Sequence, residues 1–135
     1  MDGASWIGAS QDSKPFMLQL ADDGYDVWIG SNRGTEYSQG HKTLNAKDDS
    51  EYWNFSWAEM GLYDDTANIR KMQEVSNVEK VYYVGYSQGT IQMLYGLAHR
   101  ENEFFADSLH KAVLLAPCFM GDSFPCKTVE CVNMP

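Results

Sequence analysis

The sequence predicts an α/β fold, and three observations carry that expectation. Two short runs read as strands, the β-branched and aromatic Val81–Val84 and the apolar Lys111–Ala116. Between them, Thr90 to Arg100 places apolar residues at helical spacing, and a second long helical pattern, Ser56 to about Val75, precedes the first run. Strands alternating with helices of ten residues or more indicate parallel strands with flanking helices.

Taken in order, Phe16 to Leu20 reads as a helix introduced by Asp12-Ser13-Lys14-Pro15, because proline is tolerated in a first helical turn. Asp23-Gly24 ends it. Tyr25–Ile29 then reads as a buried strand, broken by the turn-rich Ser31-Asn32-Arg33-Gly34. From Thr35 to Phe55 the chain is polar, with Trp53 and Phe55 as expected anchors. Ser56-Trp57-Ala58-Glu59 is a capping box, in which serine and glutamate satisfy each other's backbone donors. The helix it opens should turn Met60, Tyr63, Ala67, Met72 and Val75 inward. A loop at Ser76–Glu79 leads to the Val81–Val84 strand, and Pro117 stops the last strand.

The chemistry concentrates in Gly85-Tyr86-Ser87-Gln88-Gly89, a G-x-S-x-G between a strand and a helix. In that setting the pentapeptide is a nucleophile elbow, with Ser87 in a strained backbone conformation and its hydroxyl exposed. Gly85 and Gly89 are expected because side chains there would collide across so tight a turn. Gln88, at the start of the helix, offers a backbone N–H to a developing oxyanion.

Composition narrows the partners. At 135 residues the chain is at most one domain, and its 44% hydrophobic content is that of a globular protein. Nineteen acidic against ten basic side chains give a net charge of -9, without the basic stripe that a nucleic-acid partner requires. The acidic groups Asp22-Asp23, Asp48-Asp49-Glu51 and Asp64-Asp65 read as solvated surface, and no histidine joins them to suggest a metal. No cofactor motif is evident. No apolar run reaches bilayer length, and the first residues lack the pattern of a signal peptide. Cys118, Cys126 and Cys131 do not have zinc spacing; Cys126 and Cys131 could close a small disulfide in an oxidising compartment.

Several segments resemble the acid lipases of the gastric and lysosomal type. They are Leu20–Gly30, the Asn32-Arg33-Gly34 turn, His41–Leu44, Trp53–Ser56, Glu59-Met60, Tyr63-Asp64 and Val81–Thr90, in order and at matching spacing from Met1 to about Pro117. Tyr86 stands where many members have histidine, and Ser31-Asn32 varies the turn. The resemblance implies a partial α/β-hydrolase fold and hydrolysis of neutral lipid esters, triacylglycerols or sterol esters, with Ser87 as nucleophile. It also implies a lysosomal or secreted compartment, and a lipid ester or lipid interface as partner. Between the strands at Tyr25–Ile29 and Val81–Val84 it implies a further strand.

These lipases carry a His-Gly-Leu segment upstream of the residues matching Asp2–Trp6, and it supplies the second oxyanion donor. Downstream they carry a cap, the catalytic acid and the catalytic histidine. The chain therefore reads as the middle third of such an enzyme, with no catalytic acid or base of its own. Asp122 follows the last strand, but no histidine follows it. His41 matches a structural motif, His99 lies near a helix end, and His110 falls in a loop before a strand. An unassisted serine hydroxyl is a poor nucleophile, so the isolated chain is expected to be inactive. Two other readings stay open. One is a truncated, non-catalytic chain that binds lipid or a partner or has no function, and the other is a serine hydrolase acting on a non-lipid substrate.

Overall fold

In the computed structural model, Trp6, residues 14–99 and residues 102–118 are described. Asp122, Cys126 and Cys131, named above, lie outside them. Helix α1 spans Phe16–Asp22 with Pro15 at its N-cap, and Gly24, at φ 92°, follows its C-cap Asp23. That left-handed position is why glycine ends this helix. Tyr25–Ile29 does not form a strand: among the described residues no ladder includes it, and Tyr25 is 57% exposed. Apolar composition confers only a propensity, and a strand exists only when a neighbour accepts its hydrogen bonds.

The Arg33-Gly34 turn is pinned from two sides. The Arg33 guanidinium forks onto Asp64, with Nη2 to Oδ1 at 2.7 Å and Nε to Oδ1 at 2.9 Å, while the Arg33 backbone N–H donates to Oδ2 at 2.9 Å. Gly34 has φ 80°, and a Cβ there would stand 2.8 Å from both Trp53 and Phe55. The buried aromatic of this region is Tyr52, in a 3-10 turn at Ser50–Trp53, whereas Trp53 is exposed and Phe55 half-buried.

The helical run after Ser56 is capped as expected, but it is not one regular helix. Short α2 (Trp57–Glu59) passes into a π-helical turn at Met60–Asp64 and then α3 (Asp65–Ser76). A π turn inserts about one residue per turn and rotates everything after it around the helix axis. The inward face therefore runs Met60, Asp65, Ile69, Met72. Tyr63, Ala67 and Val75, expected inward on a continuous 3.6-residue period, are exposed. Asp64 and Asp65 are correspondingly not solvated surface charge, since Asp64 pairs with Arg33 and Asp65 is buried.

Strands β1 (Val81–Tyr86) and β2 (Leu109–Leu115) pair in parallel, in the register Tyr82 to Lys111 through Tyr86 to Leu115. Helix α4 (Gln88–Ala98) and helix α5 (Asn102–Ser108) connect them. His110 belongs to β2 rather than to a preceding loop, and it takes up a register irregularity after Val81. The core, Ile69, Val81, Met93 and Phe105, fills the space between the helices and one sheet face. Two close approaches lock it. A Cβ on Gly61 would stand 2.4 Å from the Gln92 carbonyl oxygen, and one on Gly96 2.3 Å from the Phe105 ring.

Candidate active site

The site begins where β1 stops. Ser87 lies between Tyr86, the last residue of β1, and Gln88, the first of α4, with φ 51° and ψ −114°. Non-glycine residues rarely take positive φ, at a cost of about 1–3 kcal/mol, and they keep it only where neighbours determine both flanking peptides. Here they do. The Ser87 N–H donates to the Leu115 carbonyl at 3.0 Å, continuing the β1–β2 ladder one residue beyond the strand. The Ser87 carbonyl accepts from the Thr90 N–H at 2.9 Å and from the Thr90 hydroxyl at 2.6 Å.

The two elbow glycines differ. A Cβ on Gly85 would stand 2.8 Å from the Tyr83 ring and 2.9 Å from the Gly89 carbonyl, so only glycine fits. A Cβ on Gly89 would meet only the Tyr83 hydroxyl, at an ordinary 3.5 Å. The expected collision therefore exists at Gly85 and not at Gly89, because the turn folds Gly85 under the first turn of α4.

Gln88 opens α4, so its backbone N–H has no intrahelical acceptor and points out of the positive end of the helix. Its side-chain Nε2 approaches Met60 Sδ at 3.5 Å. Tyr86 is met edge-on by Trp6, with ring centroids 6.2 Å apart.

Beneath the elbow lies a polar pair that the sequence does not announce, Tyr83 and Asp65. The Tyr83 hydroxyl is 2.9 Å from the Gly89 carbonyl, to which it donates, and 3.4 Å from Asp65 Oδ2. Burial pushes the Asp65 carboxyl up to about 7, opposed by the Tyr83 hydrogen bond and reinforced by the neighbouring Asp64 charge. Burial, then the Asp65 charge, pushes the Tyr83 phenol up as well. The sequence signal was available in the odd pairing of an acid with a core-facing register, but reading it required knowing the π turn.

None of the three histidines reaches Ser87. His41 packs edge-on against Tyr52 and accepts from the Thr43 and Leu44 N–H groups, beside a cavity lined by Arg33, Leu44 and Phe55. His99 stacks on Tyr95 at 3.7 Å between centroids, and His110 packs against Tyr82. Among the described residues, no side chain hydrogen-bonds the Ser87 hydroxyl. The geometry thus supplies a half-buried turn hydroxyl and beside it an N–H that bonds none of the described residues, the two groups that acyl transfer needs at one carbonyl. Among the described residues it supplies no general base.

Comparison with known proteins agrees with this architecture. The family model described as alpha/beta hydrolase fold matches residues 3–128. The chain is 45% identical to lipase lipl-3 of Caenorhabditis elegans over 98 residues, 73% of the chain and 24% of that protein. It is 37% identical to triacylglycerol lipase 1 of Arabidopsis thaliana over 131 residues, 96% of the chain and 32% of that lipase. It is 41% identical to human lysosomal acid lipase/cholesteryl ester hydrolase over 111 residues, 78% of the chain and 27% of the enzyme. The chain thus spans between a quarter and a third of the length of these curated relatives. With a family match over nearly all its residues and a parallel β–α–β unit around Ser87, this chain belongs to the α/β-hydrolase fold family and is of the acid-lipase type.

Proposed function

We propose that this chain carries the nucleophile segment of a lipase or carboxylic ester hydrolase acting on neutral lipid esters, triacylglycerols or sterol esters. Ser87 is the nucleophile, and the Gln88 N–H donates to the oxyanion of the tetrahedral intermediate. Ser87 attacks the ester carbonyl, the alcohol leaves with a proton, and water later releases the acid from the acyl-serine. The observation that carries the proposal is Ser87 at positive φ between β1 and α4, with the first N–H of α4 next to it. The names of the relatives support the lipid ester as substrate, and that of lysosomal acid lipase supports a lysosomal compartment. No helix among the described residues is long and apolar enough to cross a membrane.

The test is a chimera in which residues 3–128 replace the matching segment of the Arabidopsis triacylglycerol lipase, which brings its own remaining residues. The expected result is hydrolysis of triacylglycerol or cholesteryl ester together with fluorophosphonate labelling, both lost in Ser87→Ala. A folded chimera without Ser87-dependent labelling would sink the assignment. Turnover of short water-soluble esters with none of the lipid esters would keep the nucleophile and overturn the substrate.

One observation favours a second reading. Because no described side chain hydrogen-bonds the Ser87 hydroxyl, the elbow in this chain by itself could serve lipid or partner binding without turnover.

A further inference from the structure

We propose that Thr90 is the positioning residue of the elbow, and that its hydroxyl aims the Gln88 N–H by fixing the Ser87–Gln88 peptide. This deepens the proposal that Ser87 and Gln88 form the reacting pair and rests on it. The Thr90 side chain is fully buried, and its Oγ1 uses both kinds of hydrogen bond. It donates to the Ser87 carbonyl at 2.6 Å and accepts from the Cys118 N–H at 3.0 Å. The Ser87 N–H meanwhile donates to the Leu115 carbonyl at 3.0 Å.

These contacts close a ring. The end of β2 holds the peptide before Ser87 directly, through Leu115, and the segment that follows β2 holds the peptide after it indirectly, through Cys118 and the Thr90 hydroxyl. A serine at φ 51° relaxes as soon as either peptide can rotate, so both attachments are needed to keep it there.

The direction of the Gln88 N–H follows from peptide geometry. In a planar trans peptide the C=O and the N–H point in opposite directions. Two hydrogen bonds draw the Ser87 carbonyl into the first turn of α4, one from the Thr90 N–H and one from its hydroxyl. The Gln88 N–H must then point away from that turn, to the side where the oxyanion would form. The backbone N–H of Thr90 alone fixes the distance, whereas the second donor at the same oxygen restricts the plane. A preorganised donor is what oxyanion stabilisation requires, because a donor that must reorient loses most of its effect.

The Thr90 hydroxyl also explains a choice of residue. Threonine within a helix loses rotamer freedom and is a mediocre helix former. At Thr90 its branched side chain can fill a buried position while the hydroxyl reaches the carbonyl three residues earlier. Valine would fill the same volume without either hydrogen bond.

The experiment compares Thr90→Val and Thr90→Ser with the unsubstituted chain by NMR of the backbone. In Thr90→Val, the positive-φ signature of Ser87 in its scalar couplings and carbon shifts should be lost. The Gln88 amide order parameter should fall from about 0.85 to below about 0.6, with the rest of α4 unchanged. Thr90→Ser should restore both. A folded Thr90→Val chain with Ser87 and Gln88 unchanged would overturn the proposal, as would failure of Thr90→Ser to restore them.

Should Thr90→Val not fold, hydrogen exchange of the unsubstituted chain decides. Ser87 and Cys118 amides should be protected together while the Gln88 amide exchanges freely. A Gln88 amide as protected as that of Ser87 would overturn the proposal, since its N–H would then be engaged elsewhere. The chimera keeps the two claims apart. Lost labelling with intact elbow signals would remove the catalytic reading, and signals indifferent to Thr90 would remove the clamp.

Discussion

The Tyr83 hydroxyl donates to the Gly89 carbonyl across 2.9 Å, which ties the helix-facing side of β1 to the first turn of α4 and straps the elbow from below. Thr90 links the same elbow to Cys118, just beyond β2, so two hydrogen-bonding devices hold the turn around Ser87. Tyr83→Phe should keep the packing and lose only the strap, costing about 1 kcal/mol or somewhat more because a buried oxygen loses a partner. Urea unfolding of the two chains checks this. An unchanged midpoint would mean that the strap carries no weight.

Asp65 makes stability depend on pH in an unusual direction. Its carboxyl is pushed up to about 7 from 3.8, chiefly by burial. The folded chain therefore keeps a proton that the unfolded chain releases from about pH 4 upward. The contribution of the neutral acid is fully present below about pH 4 and is lost as the pH rises toward 7, in total on the order of 4 kcal/mol. Asp65→Asn keeps a polar group beside Tyr83 and cannot ionise. It should be more stable than the unsubstituted chain at pH 8, by on the order of 2 kcal/mol, and no more stable at pH 4. Equal gains at the two pH values would show that Asp65 does not titrate in this range.

How much of this was legible in the sequence depends on the range of the interaction. The capping box of Ser56 and Glu59, the end of α1 at Gly24, and the β1–elbow–α4 order all follow from contacts within a few residues. Parallel pairing of β1 with β2 was equally legible, because helices separate the two strands. Tyr25–Ile29 was misjudged because pairing depends on a neighbour that local composition does not contain. The inward face of α3 was misjudged for a different reason. One π turn at Met60–Asp64 shifts the register, and no period-3.6 pattern announces it.

The site was legible only in part, for the same reason. Ser87, Gln88 and Gly85 follow from the pentapeptide and its flanks. Thr90, Tyr83 and Asp65, which hold them, become visible only once α3, β1, α4 and the end of β2 are brought together. The pentapeptide implies crowding at Gly89, whereas the structure gives it ordinary room.

That difference between the glycines is testable. Gly85→Ala forces a Cβ within 2.8 Å of the Tyr83 ring and 2.9 Å of the Gly89 backbone, and backbone cannot yield cheaply. A loss of about 3 kcal/mol or failure to fold is expected. Gly89→Ala should be neutral or stabilising by up to about 1 kcal/mol, since alanine is the better helix former. Thermal unfolding of the two variants checks the order, and equal destabilisation would contradict it.

Gly61→Ala should be as damaging as Gly85→Ala for a different reason. The added Cβ would stand 2.4 Å from the carbonyl oxygen of Gln92, so the π turn and α4 would have to separate. That separation would also loosen the buried Gln92, which receives a bond from Asn32 at 3.1 Å and donates to Met60 Sδ at 3.2 Å. A cost of about 3 kcal/mol is expected. Near-UV circular dichroism of a Gly61→Ala chain that folds should show the altered packing, and a native spectrum with unchanged stability would refute the close approach.

The last expectation concerns activity of the chain by itself. Hydrolysis through Ser87 needs a base that takes the hydroxyl proton as the oxygen attacks. His41, His99 and His110 are the three histidines of the chain, and each is engaged away from the elbow with Tyr52, Tyr95 and Tyr82 respectively. Asp65, a buried carboxyl, faces Tyr83. The elbow and the Gln88 N–H then leave only the residual rate that a partial oxyanion hole and binding confer. Ester hydrolysis by the isolated chain should therefore be negligible, and Ser87→Ala should not change it measurably. A turnover on the order of 10 per second, typical of enzymes, would overturn this if Ser87→Ala removed it. That result would require a base to reach Ser87 from a histidine that the structure places elsewhere, and substituting His41, His99 and His110 in turn would identify it.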